Sequence, residues 1–212
     1  MKGKIPYVLH VFYAVIIVLC TSLDSNAQNQ DISLLHDINK QRNASFDIVM
    51  IGITNSVYPA SGILSVTELI LGYVRHDKVI EMNGWQAVTG LGVNTIITFG
   101  LKNTINRTRP YNTYPYIQPY QHDIDPSFPS GHTSFSFCDA TSVSLCYPKW
   151  YVIAPSYIWA ATVGYSRMYL GMHYPSDVLA GAIVGTGSAW LAYKGNKWLQ
   201  QRKNKRLSTQ HE

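Results

Sequence analysis

The chain reads as apolar stretches of helical length joined by short polar connections. Five weakly apolar segments stand out: Tyr58 to Val74, Asn83 to Leu101, Thr133 to Pro148, Trp150 to Ser166 and Val178 to Tyr193, each 16 to 19 residues long. Their only acidic or basic residues are Glu68 and Asp139, candidates for buried polar contacts with no catalytic role. Each segment is short for a hydrocarbon core about 30 Å thick, although spans of about 17 residues occur. All are rich in Gly, Ala, Ser and Thr, which lets membrane helices approach closely. The pattern predicts an all-α chain, a helical bundle with five or six membrane-spanning or membrane-associated helices. A tightly packed soluble bundle would use the same small residues.

Two further stretches precede these segments. Gln28 to Phe46 is polar and periodic, with Leu34, Leu35 and Ile38 on one helical face, and predicts a short surface or interfacial helix. At the start, Lys2 and Lys4 lead into an apolar run from about Tyr7 to Cys20, and Ser25-Asn26-Ala27 supplies the small residues a signal peptidase reads. Residues 1–27 are thus either a secretory signal peptide or an N-terminal anchor, and both place the following chain outside the cytoplasm. The expected organisation is that leader, a polar and amphipathic segment over 28–57, a helical-bundle domain over 58–193 and a basic cytoplasmic tail over 194–212. Between the second and third apolar segments, Tyr111 to Tyr120 is a Tyr/Pro loop that cannot be regular helix.

Composition agrees with burial in an apolar setting. Hydrophobic residues make up 46% of the 212 and charged residues only 14%, against about 25% in ordinary soluble domains. The net charge is +5, much of it in the tail from Lys194 to Arg206. Such a balance suits anionic lipid, an anionic substrate or nucleic acid, but no zinc-finger spacing or RNA-binding sheet signature accompanies it, so no nucleic acid partner is expected. Cys138 and Cys146 are eight residues apart, too far along one helix for a disulfide.

The connections carry an orientation. Arg75, His76 and Lys78, then Lys149, then the tail are basic, whereas the alternate connections hold Asp24, Asp31, Asp37, Asp123, Asp125 and Asp177. With basic loops kept inside, residues 102–132 and 167–177 lie outside. Lys40, Arg42, Lys102, Arg107, Arg109 and Arg167 run against that pattern, and several of them have another use.

Three polar pieces share the outer side: "KNTINRTRP" with Lys102 and Arg109, "PSGH" from Pro129 to His132, and "SRMYLGMHYPSD" with Ser166, Arg167, His173 and Asp177. Each sits at the outer end of an apolar segment, and a bundle would gather those ends. Lys102, Arg109 and Arg167 suit a phosphoryl oxyanion. Ser130, Gly131 and the following helix N-terminus add hydroxyl and backbone N–H donors. His132 and His173 can share nucleophile and acid duties. Asp177, four residues after His173, can fix its tautomer. No cluster of metal ligands is apparent, so neither metal nor cofactor is expected, and the fixed cations can stabilise the transition state. His122, in the Tyr/Pro loop, is expected to be exposed or to line the entrance.

Together the pieces Lys102-x6-Arg109-Pro110, Pro129-Ser130-Gly131-His132 and Ser166-Arg167-x5-His173-x3-Asp177 resemble the tripartite signature of the type 2 phosphatidic acid phosphatase superfamily, which includes bacterial acid phosphatases and vanadium haloperoxidases. Any one piece is a weak signal; the ordered trio is specific, and the resemblance spans about residues 58–193. It implies the helical bundle of that family and metal-independent hydrolysis of a phosphomonoester or diphosphate. It also implies the roles: His173 attacks phosphorus, Asp177 orients it, His132 protonates the leaving oxygen and then activates water, and Lys102, Arg109, Ser130, Gly131 and Arg167 hold the phosphate oxygens. With the outer placement of the site, the expected function is an envelope lipid phosphatase at the periplasmic face of the bacterial inner membrane. Lipid A phosphate, undecaprenyl diphosphate and phosphatidate-type lipids are the candidate substrates. The alternative is a soluble periplasmic acid phosphatase of broad specificity.

Overall fold

The computed structural model describes residues 25–209, and the chain there is helical apart from its connections. The leader expected over 1–27 lies almost wholly outside the described residues; Ser25 to Ala27 begin the first helix, α1 (Ser25–Asn39). There follow α2 (Ala44–Asn55), α3 (Val57–Val74), α4 (Lys78–Ile105), the single turn α5 (Pro110–Thr113), α6 (Gly131–Cys146), α7 (Trp150–Tyr169) and α8 (Pro175–Thr209). The five apolar segments fall in α3, α4, α6, α7 and α8. The basic tail is not a separate element, because α8 continues through it.

Local chemistry explains the boundaries. Asp77 caps α4 by accepting N–H bonds from Val79 and Ile80. Asn106 ends that helix in the left-handed conformation at φ 47°, a place that favours Asn among residues other than Gly. Pro110 then occupies the first position of α5, where its missing N–H costs nothing. The Tyr/Pro loop therefore contains one turn of helix at its start. Two helices occupy the N-terminal region instead of one, and α2 starts behind an Asn43 cap whose side chain accepts from the Phe46 N–H.

Helix α6 is the hub and packs on α8, α7, α4 and α3, while α4 also packs on α3 and α8. The α6–α8 contact depends on glycine. A Cβ on Gly185 would meet Ser134 O at 2.1 Å, and one on Gly181 would meet Ser130 O at 2.7 Å. This close approach sets Ser130 N–H on Asp177 O at 3.0 Å and so joins the second and third polar pieces. Gly171 does similar work in the α7–α8 connection: its φ is +68°, and a Cβ there would lie 2.5 Å from Gln118 O.

The body of the bundle is polar within and apolar without. Ser61, Ser65, Glu68, Asn94, Thr98, Ser134, Ser136, Asp139 and Ser142 are buried, whereas Ile63, Ile70, Ile96, Phe99, Ile158 and Leu179 are exposed. Asp139 accepts from Ser61, and Thr98 and Ser134 share a 2.9 Å hydrogen bond. The large apolar cluster lies elsewhere, in a cap at one end of the bundle. There Ile32 and Leu35 of α1 and Met50 of α2 pack with Tyr111, Ile117, Tyr169, Leu170, Met172 and Tyr174. By length and composition, the continuous helical stretch Ala44–Val74 could cross a membrane, with a mean hydropathy of 1.3 in its most apolar window. Cys138 and Cys146 are both free.

Candidate active site

The three polar pieces converge between the cap and the body. Lys102 lies in the last turn of α4, Arg109 precedes Pro110, Ser130 is the N-cap residue of α6, Arg167 lies in the last turn of α7, His173 sits in the α7–α8 connection and Asp177 in the first turn of α8. Lys102, Arg109, Ser130, Arg167, His173 and Asp177 are all buried, and Gly131 and His132 are partly so. Every one of the eight expected side chains or backbones is therefore in the same cluster.

Two acids of the loop before α6 complete the cation cradle. Asp125 Oδ2 lies 2.7 Å from Lys102 Nζ, and its Oδ1 accepts from Arg109 Nη2 at 2.6 Å. Lys102 also donates to Pro126 O. Arg109 donates further through Nε to Asp125 O at 2.9 Å and through Nη1 to Met172 O at 3.1 Å. Asp123 Oδ2 is 3.1 Å from Arg109 and 3.9 Å from Arg167. Burial alone would raise the Asp125 carboxyl, but its bonds to Lys102 and the neighbouring Arg109 charge bring it down to about 2. Asp125 is thus an anion on Lys102 and Arg109.

Arg167 differs from the other two cations. Its side chain is 1% exposed, its Nη1 donates to Thr54 Oγ1 of α2 at 3.0 Å, and among the described residues Nε and Nη2 have no hydrogen-bond acceptor. Buried donors without acceptors cost about 1–3 kcal/mol each, more when charged, so these two donors mark where an anion belongs. Burial and the Arg109 charge lower the Arg167 pKa to about 10, which leaves it a cation at neutral pH. At the start of α6, Ser130 makes no side-chain cap bond, and its Oγ accepts from Thr133 instead. The first-turn N–H groups remain for an anion.

The two imidazoles are held neutral. Burial, then Arg167, His173 and Arg109, lower the His132 pKa to about 2, and burial with Arg109, Arg167 and Lys102 lowers His173 well below its usual range. His173 Nδ1 faces Asp177 Oδ2 at 3.6 Å and Ser127 Oγ at 3.4 Å. Ser127 Oγ gives its own proton to Asp177 Oδ2, so His173 can hydrogen-bond it only as the Nδ1–H tautomer, which leaves the Nε2 lone pair free. The ring of Tyr58 meets His132 edge-on at 4.9 Å, and its hydroxyl would lie 3.7 Å from a Cβ on Gly131.

Sequence reasoning missed Arg107, Ser127, Asp123, Asp125, Tyr58 and Thr54 as members of this cluster. Arg107, a charge contrary to the loop pattern, had the clearest signal. His122 is exposed and meets the Tyr111 ring edge-on at 5.0 Å, outside the cluster.

Comparison with known proteins fits this fold and site. The signature described as "PAP2 superfamily" matches residues 83–201, from α4 to the end of the bundle, and the chain belongs to that superfamily and is a phosphatase. It is 26% identical over 152 residues to the undecaprenyl-diphosphatase BcrC of Bacillus subtilis, covering 72% of this chain and 76% of that one. It is 34% identical over 99 residues to the lipid A 4'-phosphatase of Bacteroides thetaiotaomicron, covering 44% of each. A solved transmembrane PAP2 type phosphatidylglycerolphosphate phosphatase from Bacillus subtilis superposes with a TM-score of 0.70 at 24% identity, over 89% of this chain and 95% of that one.

Proposed function

We propose that this protein removes phosphate from an envelope lipid, as a phosphomonoester or diphosphate, by way of a phosphohistidine on His173. The observation that carries the reading is the pair of acceptorless Arg167 donors beside two neutral imidazoles, at the end of a bundle whose outer faces are apolar. His173 Nε2 attacks phosphorus, and its Nδ1–H stays on Asp177. The leaving oxygen takes a proton through His132. Water then gives a proton to His132 and attacks the phosphohistidine; phosphate leaves with that proton, and His173 and His132 are both restored. Arg167 and the first-turn N–H groups of α6, with Ser130 and Gly131, bind the oxyanion, and Lys102 and Arg109 join them when phosphate displaces Asp125.

The resting charge fits a substrate that brings its own proton. His132 is neutral beside the cations, and a phosphate monoester loses its second proton near pH 6. The bound phosphate offsets those cations and lets His132 hold the shared proton. Activity therefore extends into mild acid and falls at alkaline pH as that proton is lost.

The lipid is argued from three features: the exposed Ile, Phe and Leu side chains of the body, the site at one end of it, and relatives whose names specify undecaprenyl diphosphate and lipid A. We place the site on the periplasmic side of the inner membrane and the basic end of α8 in the cytoplasm, following the basic Arg75–Lys78 and Lys149 connections and tail. On the same reading residues 1–27 are the leader and 58–193 the catalytic bundle. The test is phosphate release by purified protein with EDTA present, from lipid A, undecaprenyl diphosphate, phosphatidylglycerol phosphate, phosphatidate and p-nitrophenyl phosphate. Preference for a lipid, rapid-quench trapping of phosphate on His173 and loss of roughly 10⁴-fold or more in His173→Ala are expected. Preference for p-nitrophenyl phosphate, or dependence on a divalent metal, would refute it.

A further inference from the structure

Behind His173 lies a continuous set of buried contacts that reaches the N-terminal helix. Arg107 Nη1 donates to Asp177 Oδ1 at 2.7 Å, and Nη2 donates to Asp31 Oδ2 of α1 at 2.9 Å. The Arg107 guanidinium also stacks 3.9 Å from the Tyr174 ring centre, and its Nη1 reaches Ser176 Oγ at 2.7 Å. Asp31 accepts the Ser176 N–H at 2.9 Å, in the first turn of α8. On the other side of Asp177, Oδ2 accepts from Ser127 Oγ at 2.5 Å and from the Tyr174 N–H at 3.0 Å, and it is this oxygen that faces His173. Ser127 in turn donates its N–H to Arg107 O at 2.8 Å. Arg107 thus holds Asp177 directly through one oxygen and, by way of Ser127, through the other.

We infer that Arg107 and Asp31 are positioning residues for the nucleophile: Asp31 fixes Arg107, Arg107 fixes Asp177, and Asp177 aligns His173. The inference rests on the reading of His173 as nucleophile. It makes α1, which lies outside the residues matched by the family signature, a working part of the site. The physical need is evident from the burial of Asp177, which has no exposed surface. Burial pushes that carboxyl up, and the Arg107 charge is the strongest influence opposing it. Without Arg107, Asp177 would hold a proton at higher pH and would no longer fix the His173 tautomer. Asp31 takes Nη2 and so keeps the Arg107 guanidinium against Asp177. Neither residue contacts the acceptorless donors of Arg167, so both act on the rate of attack and not on phosphate affinity.

The test compares wild type with Arg107→Met, Arg107→Lys and Asp31→Asn in detergent, normalised to folded protein by thermal melts and gel filtration. The readouts are the single-turnover rate of phosphorylating His173, kcat and KM separately, the pH profile, and the affinity for vanadate as a phosphate-like probe. Arg107→Met is expected to slow phosphorylation and kcat by roughly 10–100-fold with KM and vanadate affinity within about twofold, and to move the acid limb of kcat/KM to higher pH. Asp31→Asn is expected to lower kcat by about fivefold in the same manner, with Arg107→Lys intermediate. Wild-type phosphorylation rates and pH profiles in Asp31→Asn and in either Arg107 variant would overturn the inference, as would a fall in vanadate affinity equal to the fall in kcat. Should Arg107→Met not fold, Arg107→Lys and Asp31→Asn decide by the same criteria. A wild type that turns over without labelling His173 defeats the nucleophile reading itself; a labelled wild type with unaffected variants defeats the positioning role alone.

Discussion

The cap and the body of this molecule are packed on opposite principles. In the cap, Ile32, Leu35, Met50, Ile117, Leu170 and Met172 turn inward around the aromatic rings of Tyr111, Tyr169 and Tyr174. In the body, Ser61, Ser65, Asn94, Thr98 and Ser134 turn inward, and Ile63, Ile70, Ile96 and Phe99 turn out. A cap of this kind is stabilised by removing apolar surface from water. The body would leave much of its apolar surface wet in water, whereas in lipid those side chains have a matching solvent and the inward contacts are backbone approach and polar pairing. The site lies where the two regimes meet. Its fixed cations, Lys102, Arg109 and Arg167, are buried there.

The comparison can be broken or sharpened by substitution. Arg167→Ala removes the two acceptorless donors and is expected to lower kcat/KM by roughly 10²–10³-fold, read by steady-state hydrolysis. Leu35→Ala opens the cap core and should cost about 3 kcal/mol of stability, seen as a lower melting temperature whether the body is held in detergent or in a bilayer. Asp125→Asn should act in the opposite sense to Arg167→Ala. It removes a carboxylate that competes for Lys102 and Arg109, so vanadate should bind about tenfold more tightly by calorimetry. The smallest effect belongs to Ile63→Ala on the outer face of the body. It should shift stability by less than about 0.5 kcal/mol in a bilayer, since the side chain exchanges lipid for lipid. A loss as large as that of Leu35→Ala would show that the face is buried against protein.

The main helices were legible because their information is local. The five apolar runs mark α3, α4, α6, α7 and α8, and Asn106 and Pro110 punctuate the chain between the second and third. Helix α2 was not legible, because Asp47, Thr54 and Asn55 interrupt its apolar residues and the stretch merges with the polar region before it. One of those interruptions, Thr54, turns out to hold Arg167. The eight expected site residues were readable from spacing, since each piece lies within about a dozen residues. Their partners were not. Asp31 meets Arg107 across 76 positions and Ser127 meets Asp177 across 50, and no periodicity links such pairs.

The sequence by itself determined which side chains were candidates for the phosphate chemistry and which stretches become helices, because residue type, spacing and hydropathy act over one or two turns. It also determined that the connections before α6 and after α7 hold acids among their cations. Only the tertiary structure decided which cation does what. Arg107 and Arg109 are separated by one residue, yet one is closed off between Asp31 and Asp177 and the other lines the cradle with Asp125. That division follows from where α1 and the loop before α6 come to rest. It depends on the close α6–α8 approach at Gly181 and Gly185 and on the turn at Gly171, contacts made between parts of the chain too distant to be paired by any local pattern.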